Sequence, residues 1–167
     1  MMAVPVSRTA GLYAAVVSIF FTLIAAAVGL QQLWAATTER VVTDYRSGLA
    51  ISGYDPVAYF TAGKAVMGRA DVEARYAGAA WRFVNPGNRQ AFIDSPEAYM
   101  PKFGGYDPTG VARGVAVPGH PEVWLIAGDR LYLFHDRGTR EAFEENPERV
   151  LAVAGRLWPQ VQNDLAE

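Results

Sequence analysis

Four residues in this chain have side chains and settings that could do chemistry. Asp55 and Asp107 each stand in the same tetrapeptide, Gly-Tyr-Asp-Pro, at 53–56 and again at 105–108. Two carboxylates in matched settings could face one ligand if the segments carrying them converge, with Tyr106 as an aromatic neighbour of the second. His120, between Gly119 and Pro121, and His135, at the end of an apolar run, are the two imidazoles of the chain. Two histidines with one or two aspartates form a borderline donor set, of the kind that takes zinc or Cu(II). The candidate ligand-binding residues are therefore Asp55, Tyr106 and Asp107, and the candidate metal ligands Asp107, His135 and His120. No cysteine is present. Thiolate nucleophiles, disulfides and cysteine-based metal sites are thereby excluded together. Met67 and Met100 lie far apart, so no soft pair for Cu(I) stands out.

A plainer reading stands beside this one. Asp-Pro is common turn chemistry, so each aspartate could simply organise a turn. Each histidine could be an exposed loop residue. Arg89 and Arg140, at matching positions, could be ion-paired or form an anion-binding pair. Ser47, Ser52 and Ser95 lack a Gly-x-Ser-x-Gly context, and Gly104-Gly105 does not match a phosphate loop. No catalytic motif is present, and the sequence does not point to an enzyme. The 15 basic and 17 acidic residues are interspersed, without a Lys or Arg run. A nucleic-acid surface is excluded on that ground.

These residues need elements to hold them, and the elements are read from a repeat. Trp81, Asn85, Arg89 and Phe92 match Tyr132, Asp136, Arg140 and Phe143 at a constant offset of 51 positions. Gly-Tyr-Asp-Pro recurs at an offset of 52. Two copies of one unit are implied. Residues 80–84 and 130–134 read as strands, with 72–76 and 54–60 as further candidates. Val111–Val117 and Glu122–Ile126 read as strands around the Pro118–Pro121 turn. Asn85 and Asp136 are placed to cap short helices. Ser95-Pro96-Glu97 and Asn146-Pro147-Glu148 start further helices, the last long and expected to kink or restart at Pro159. The predicted class is α+β, a small sheet covered by helices.

Ahead of this lies an uncharged run, Ala10 to Leu30. As a helix it spans roughly 31 Å, about the thickness of a bilayer core. Tyr13 and Trp34 flank it, and Arg8 favours a cytoplasmic N-terminus. A cleaved signal peptide is the competing reading, and either exports the rest of the chain. The organisation predicted is a membrane anchor or uncleaved signal at 1–36, a linker at 37–47, a domain at 48–160 and a tail at 161–167.

The stretches Gly53–Phe60, Gly78–Phe83, Asn88–Phe92, Pro96–Tyr99 and Phe103–Tyr106 together resemble the YHS domain family, in its exported, membrane-anchored subgroup. The resemblance covers about residues 48–160. It implies a small, often metal-associated module and no established reaction. In that subgroup a cysteine commonly follows Gly-Gly-Tyr; here the position is Asp107. Two functions follow as expectations. One is a membrane-tethered periplasmic module, single-pass in the inner membrane, that binds a divalent metal such as zinc or copper, or a small ligand. The other is a degenerate module without a metal, serving as a protein-interaction component of a membrane complex.

The leader reading carries a direct test. Intact-mass measurement of the membrane-extracted protein is expected to show the leader still attached. A mature species beginning near Ala36 would replace the anchor with a cleaved signal.

Overall fold

The computed structural model describes residues 40–165, so the leader lies outside the described residues. Among the described residues no helix is long and apolar enough to cross a membrane. The architecture is α+β, with two small antiparallel sheets and helices rather than one sheet.

The chain enters through Val41, which is 2% exposed and belongs to the core. A 3-10 turn at Ile51–Gly53 follows, then helix α1 (Ala58–Thr61), strands β1 (Arg69–Tyr76) and β2 (Ala79–Phe83), and helices α2 (Pro86–Asp94) and α3 (Pro96–Tyr99). The same order then recurs: a 3-10 turn at Lys102–Gly105, α4 (Pro108–Val111), β3 (His120–Ala127), β4 (Arg130–Phe134), α5 (Arg137–Glu145) and α6 (Pro147–Asp164). Packed apolar residues occur on both sides of 48–160, at Val41, Val161 and Leu165. The expected linker and tail are partly structural because their apolar residues complete the core.

The two hairpins share one register. Ala74 faces Trp81 and Leu125 faces Tyr132; Arg69 faces Phe83 and His120 faces Phe134. Each first strand has its irregularity at the same place, before Glu73 and before Trp124. A glycine precedes each first strand, Gly68 and Gly119. A Cβ there would overlap Arg82 or Leu133 of the partner strand, so only glycine permits the approach.

Two strand readings are corrected. Residues 54–60 form a single bridge at Tyr54 and then α1, not a strand. Residues 111–117 end α4 and continue as a turn, with the Asp107 carboxylate capping the helix. Branched residues in both places, and aromatic ones in the first, suggest a strand, but an Asp-Pro pair opens a turn that leads into a short helix. Helix α6 runs through Pro159 without restarting.

The core has two clusters, and β4 belongs to both. Leu131 and Leu133 join one cluster with Ile51, Trp81 and Phe92. Tyr132 and Phe134 join the other with Phe103, Phe143 and Ala154. Alternation along the strand sends successive side chains to opposite faces, and here both faces are covered. Helix α2 lays Phe92 on Trp81 and Phe83, at ring separations of 5.0 and 5.3 Å. Helix α5 lays Phe143 on Tyr132 and Phe134, at 5.5 and 5.2 Å.

Phe92 and Phe143 are buried to 1% and 0% exposure. Truncating either to Ala removes a ring from a packed aromatic trio and is expected to cost about 3–5 kcal/mol. Urea denaturation of the two variants checks this. A loss below about 1 kcal/mol in either would mean that the trio does not carry the packing described.

Candidate functional site

The aspartates come first, because their surroundings decide what they can do. Asp107 lies between a left-handed 3-10 turn and α4. Its Oδ1 accepts from the Thr109 N–H at 2.7 Å and the Thr109 hydroxyl at 2.8 Å. Its Oδ2 accepts from the His135 N–H at the end of β4, at 2.8 Å. Asp55 repeats the arrangement. Oδ1 accepts from the Val57 and Ala58 N–H groups at 2.8 and 3.2 Å. Oδ2 accepts from the Val84 N–H at 2.8 Å and the Asn88 side-chain amide at 2.7 Å. Both carboxylates are buried, at 0% and 1% exposure. Asp107 therefore caps a short helix, Asp55 holds the turn that leads into one, and each is tied at the same time to the end of a strand.

Burial raises the Asp107 carboxyl. The donors from His135, Thr139 and Thr109 together outweigh it, and hold the group below the usual carboxylate range. The ionised form is the one the site is built for. Neither aspartate lines the surface groove described below. Asp107 and His135 do meet, but through the His135 main chain rather than its ring. Tyr106, buried at 8% exposure, packs its ring against Trp158.

The histidines do converge. His120 and His135 line one groove of about 510 Å³, along with Asp44, Tyr54 and Glu122. The His135 Nδ1 lies 3.3 Å from the Pro118 carbonyl. With a proton on Nδ1 that contact is a hydrogen bond, and it leaves Nε2 as a free acceptor. His120 is arranged the opposite way, with Nδ1 accepting from the Glu122 N–H at 3.2 Å. The Tyr54 hydroxyl donates to the Glu122 carboxylate at 3.2 Å. Partial burial, and then the Glu122 charge, push that hydroxyl up. The start of β3, which carries His120, is fixed from behind. The buried Tyr59 hydroxyl donates to the Pro121 carbonyl at 2.9 Å, and its ring meets Trp124 edge-on.

Chemically, the groove offers two imidazoles, a phenol and two carboxylates, and His135 presents Nε2 as an acceptor when Nδ1 carries its proton. Among the described residues no group of three or more His, Asp or Glu could hold a metal ion. The donor set does not fit a closed metal site, which takes four ligands around zinc. Glu122 and Asp44 were not marked by the sequence. Glu122 sits two residues after His120, but nothing in that spacing tells that Tyr54 reaches it across the fold. Arg140 pairs with Glu144 on its own helix at 3.1 Å, exposed on the surface.

Comparison of the chain with protein-family models, with curated proteins and with solved structures finds no match.

Asp107→Asn keeps the shape but turns an amide N–H toward donors that need an acceptor. The variant is expected to lose about 2–4 kcal/mol, as buried charge-assisted hydrogen bonds do when one partner is replaced. The folded-state pKa is depressed, so the stabilisation is fully present above the unfolded value of about 3.9 and is lost as pH falls through the folded value. Stability measured by denaturation from pH 7 downward should therefore fall more steeply below about pH 4 in the wild type than in Asp107→Asn. Parallel curves would show that the carboxylate charge is not what the donors hold.

Proposed function

We propose that this chain is a membrane-tethered, exported module of YHS type that takes a small ligand in the groove between His120 and His135. The observation that carries the reading is the convergence of both histidines with Tyr54 and Glu122 on one open groove. Donors and acceptors of different kinds line it within reach of one another, as small-molecule sites require. Two copies of one unit, related by the offsets of 51 and 52 residues, form the domain. The equal hairpin registers and the matched aspartates support that duplication. The anchor at 10–30 keeps the module at the outer face of an inner membrane.

In this reading Asp107 is not a ligand, although it occupies the position where the resembled subgroup commonly has cysteine. Its oxygens already accept from backbone and hydroxyl donors, and a ligand would have to displace them. A second reading rests on that same observation. A module whose usual ligand position has become a structural carboxylate could serve as a protein-interaction component of a membrane complex. The groove favours the first reading, because an idle module has no need of two imidazoles held by separate contacts.

Zinc serves as a probe of the imidazoles. The full-length protein in neutral detergent is expected to bind Zn(II) weakly, and His135→Ala should abolish that binding because it removes the free Nε2. Cu(I) should not bind tightly, since no thiolate is available. Zinc binding unchanged in both His120→Ala and His135→Ala would move the site elsewhere. Tight stoichiometric Cu(I) binding would contradict the ligand assignment.

A further inference from the structure

A second cavity, of about 240 Å³, lies away from the histidine groove, and its lining carries Arg40, Lys102, Arg130, Glu97, Phe103 and Trp158. Three cations face one acid there. Glu97 is already engaged, accepting from the Tyr76 hydroxyl at 3.0 Å. Among the described residues the ion pairs are Arg69–Asp71, Arg82–Glu73 and Arg140–Glu144, so none of the three cations has a carboxylate partner. Like charges gathered without a counter-charge repel one another, and a bound anion relieves that repulsion. Arg130 adds an independent sign. Its Nε is screened from solvent and meets no hydrogen-bond partner. A buried donor on a charged group is left unsatisfied only at a cost, and such positions call for an explanation.

The backbone fixes the three segments that carry the cations. The Val42 N–H donates to the Gly104 carbonyl at 2.8 Å, which fixes the segment carrying Arg40 beside the turn carrying Lys102. Gly104 has φ +62°, and a Cβ there would overlap the Arg40 carbonyl. Arg130 begins β4, paired with Ala127 across the hairpin. The aromatic wall is equally fixed, with Phe103 against Trp158 at 5.6 Å, edge to face.

We infer that this cavity is a second binding site, for a phosphate ester that bears a small apolar group. The guanidinium forks and the lysine ammonium meet the phosphate oxygens, the chemistry for which these two side chains are suited. The Trp158 and Phe103 rings cover the apolar group. The ester has two sources, a free small molecule or the headgroup of an anionic lipid. This site is separate from the histidine groove and does not depend on the function proposed for it.

Calorimetric titration of the full-length protein in neutral detergent with phenyl phosphate, and with inorganic phosphate, tests the inference. Phenyl phosphate is expected to bind one per chain and more tightly than inorganic phosphate. Its affinity should fall about tenfold in Lys102→Gln and in Arg130→Gln, the loss of one charge-assisted contact each. Lys102→Gln, at a partly exposed turn, should keep the thermal midpoint and so separates loss of binding from loss of folding. Zinc binding should be unchanged in both variants, which keeps the result apart from that of the histidine groove. Displacement of phenyl phosphate by phosphatidylglycerol vesicles, and not by phosphatidylcholine vesicles, assigns the site to a lipid headgroup. No displacement by either assigns it to a free ester. Absence of phenyl phosphate binding, or affinity unchanged in both variants, overturns the inference.

Discussion

The constraint on which the rest of this fold depends is the need to satisfy two carboxylates that have no access to water. An ionised carboxylate is expensive to bury, and it persists only where donors surround it. Asp55 and Asp107 each gather donors from two separate places in the chain, the turn that follows them and the end of the second strand of their own half. That arrangement sets the position of the short helix, the strand end and the start of the next helix at once. The backbone just upstream of each leaves the common conformational regions. Ile51 and Phe103 adopt positive φ, +43° and +55°, which a β-branched or bulky side chain rarely does. Such conformations persist only where their surroundings determine them. The Ile51 N–H donates to the Val42 carbonyl, and its side chain is 1% exposed.

The second organising element is β4. A strand with one apolar face would have closed one hairpin and left the other half of the chain to find its own core. Because Leu131 and Leu133 pack on one side and Tyr132 and Phe134 on the other, the second hairpin is shared between both clusters. Tyr59 adds a polar tie, from the first half of the chain to the start of β3, which carries His120. The histidine groove therefore sits on parts of the chain that the core already holds. Loops that present ligands work best on such support.

Much of this was legible in the sequence, for reasons that can be named. The aromatic positions of the two hairpins, the Asx caps at 85 and 136, and the prolines at 96 and 147 encode local geometry, and local geometry is what periodicity and capping rules read. The α+β class followed from them. The Asp-Pro pairs fit turn chemistry and a site alike, and the choice depends on Val84 and His135 returning to within hydrogen-bond reach. Those contacts join residues 29 and 28 positions apart. Residues 54–60 and 111–117 depart from the expected strands for a related reason. Val57, Tyr59 and Val111 there are buried by tertiary packing around short helical turns, and propensity alone does not see packing. Glu122 and Asp44 entered the groove unannounced, since their roles come from distant neighbours. The three cations of the second cavity, Arg40, Lys102 and Arg130, come from three separate segments and share no spacing that a sequence could display.

Carbon-detected NMR of the side-chain carboxyls, followed from neutral pH downward, examines the central claim at its source. If Asp107 is a structural carboxylate held in its ionised form by backbone and hydroxyl donors, its carboxyl carbon should titrate below about 3.9, the usual aspartate value, or should hold its ionised shift until the protein unfolds. A midpoint at or above that value in the folded protein would contradict the account. It would mean that burial wins over the donors, and that Asp107 carries a proton it could exchange with a ligand.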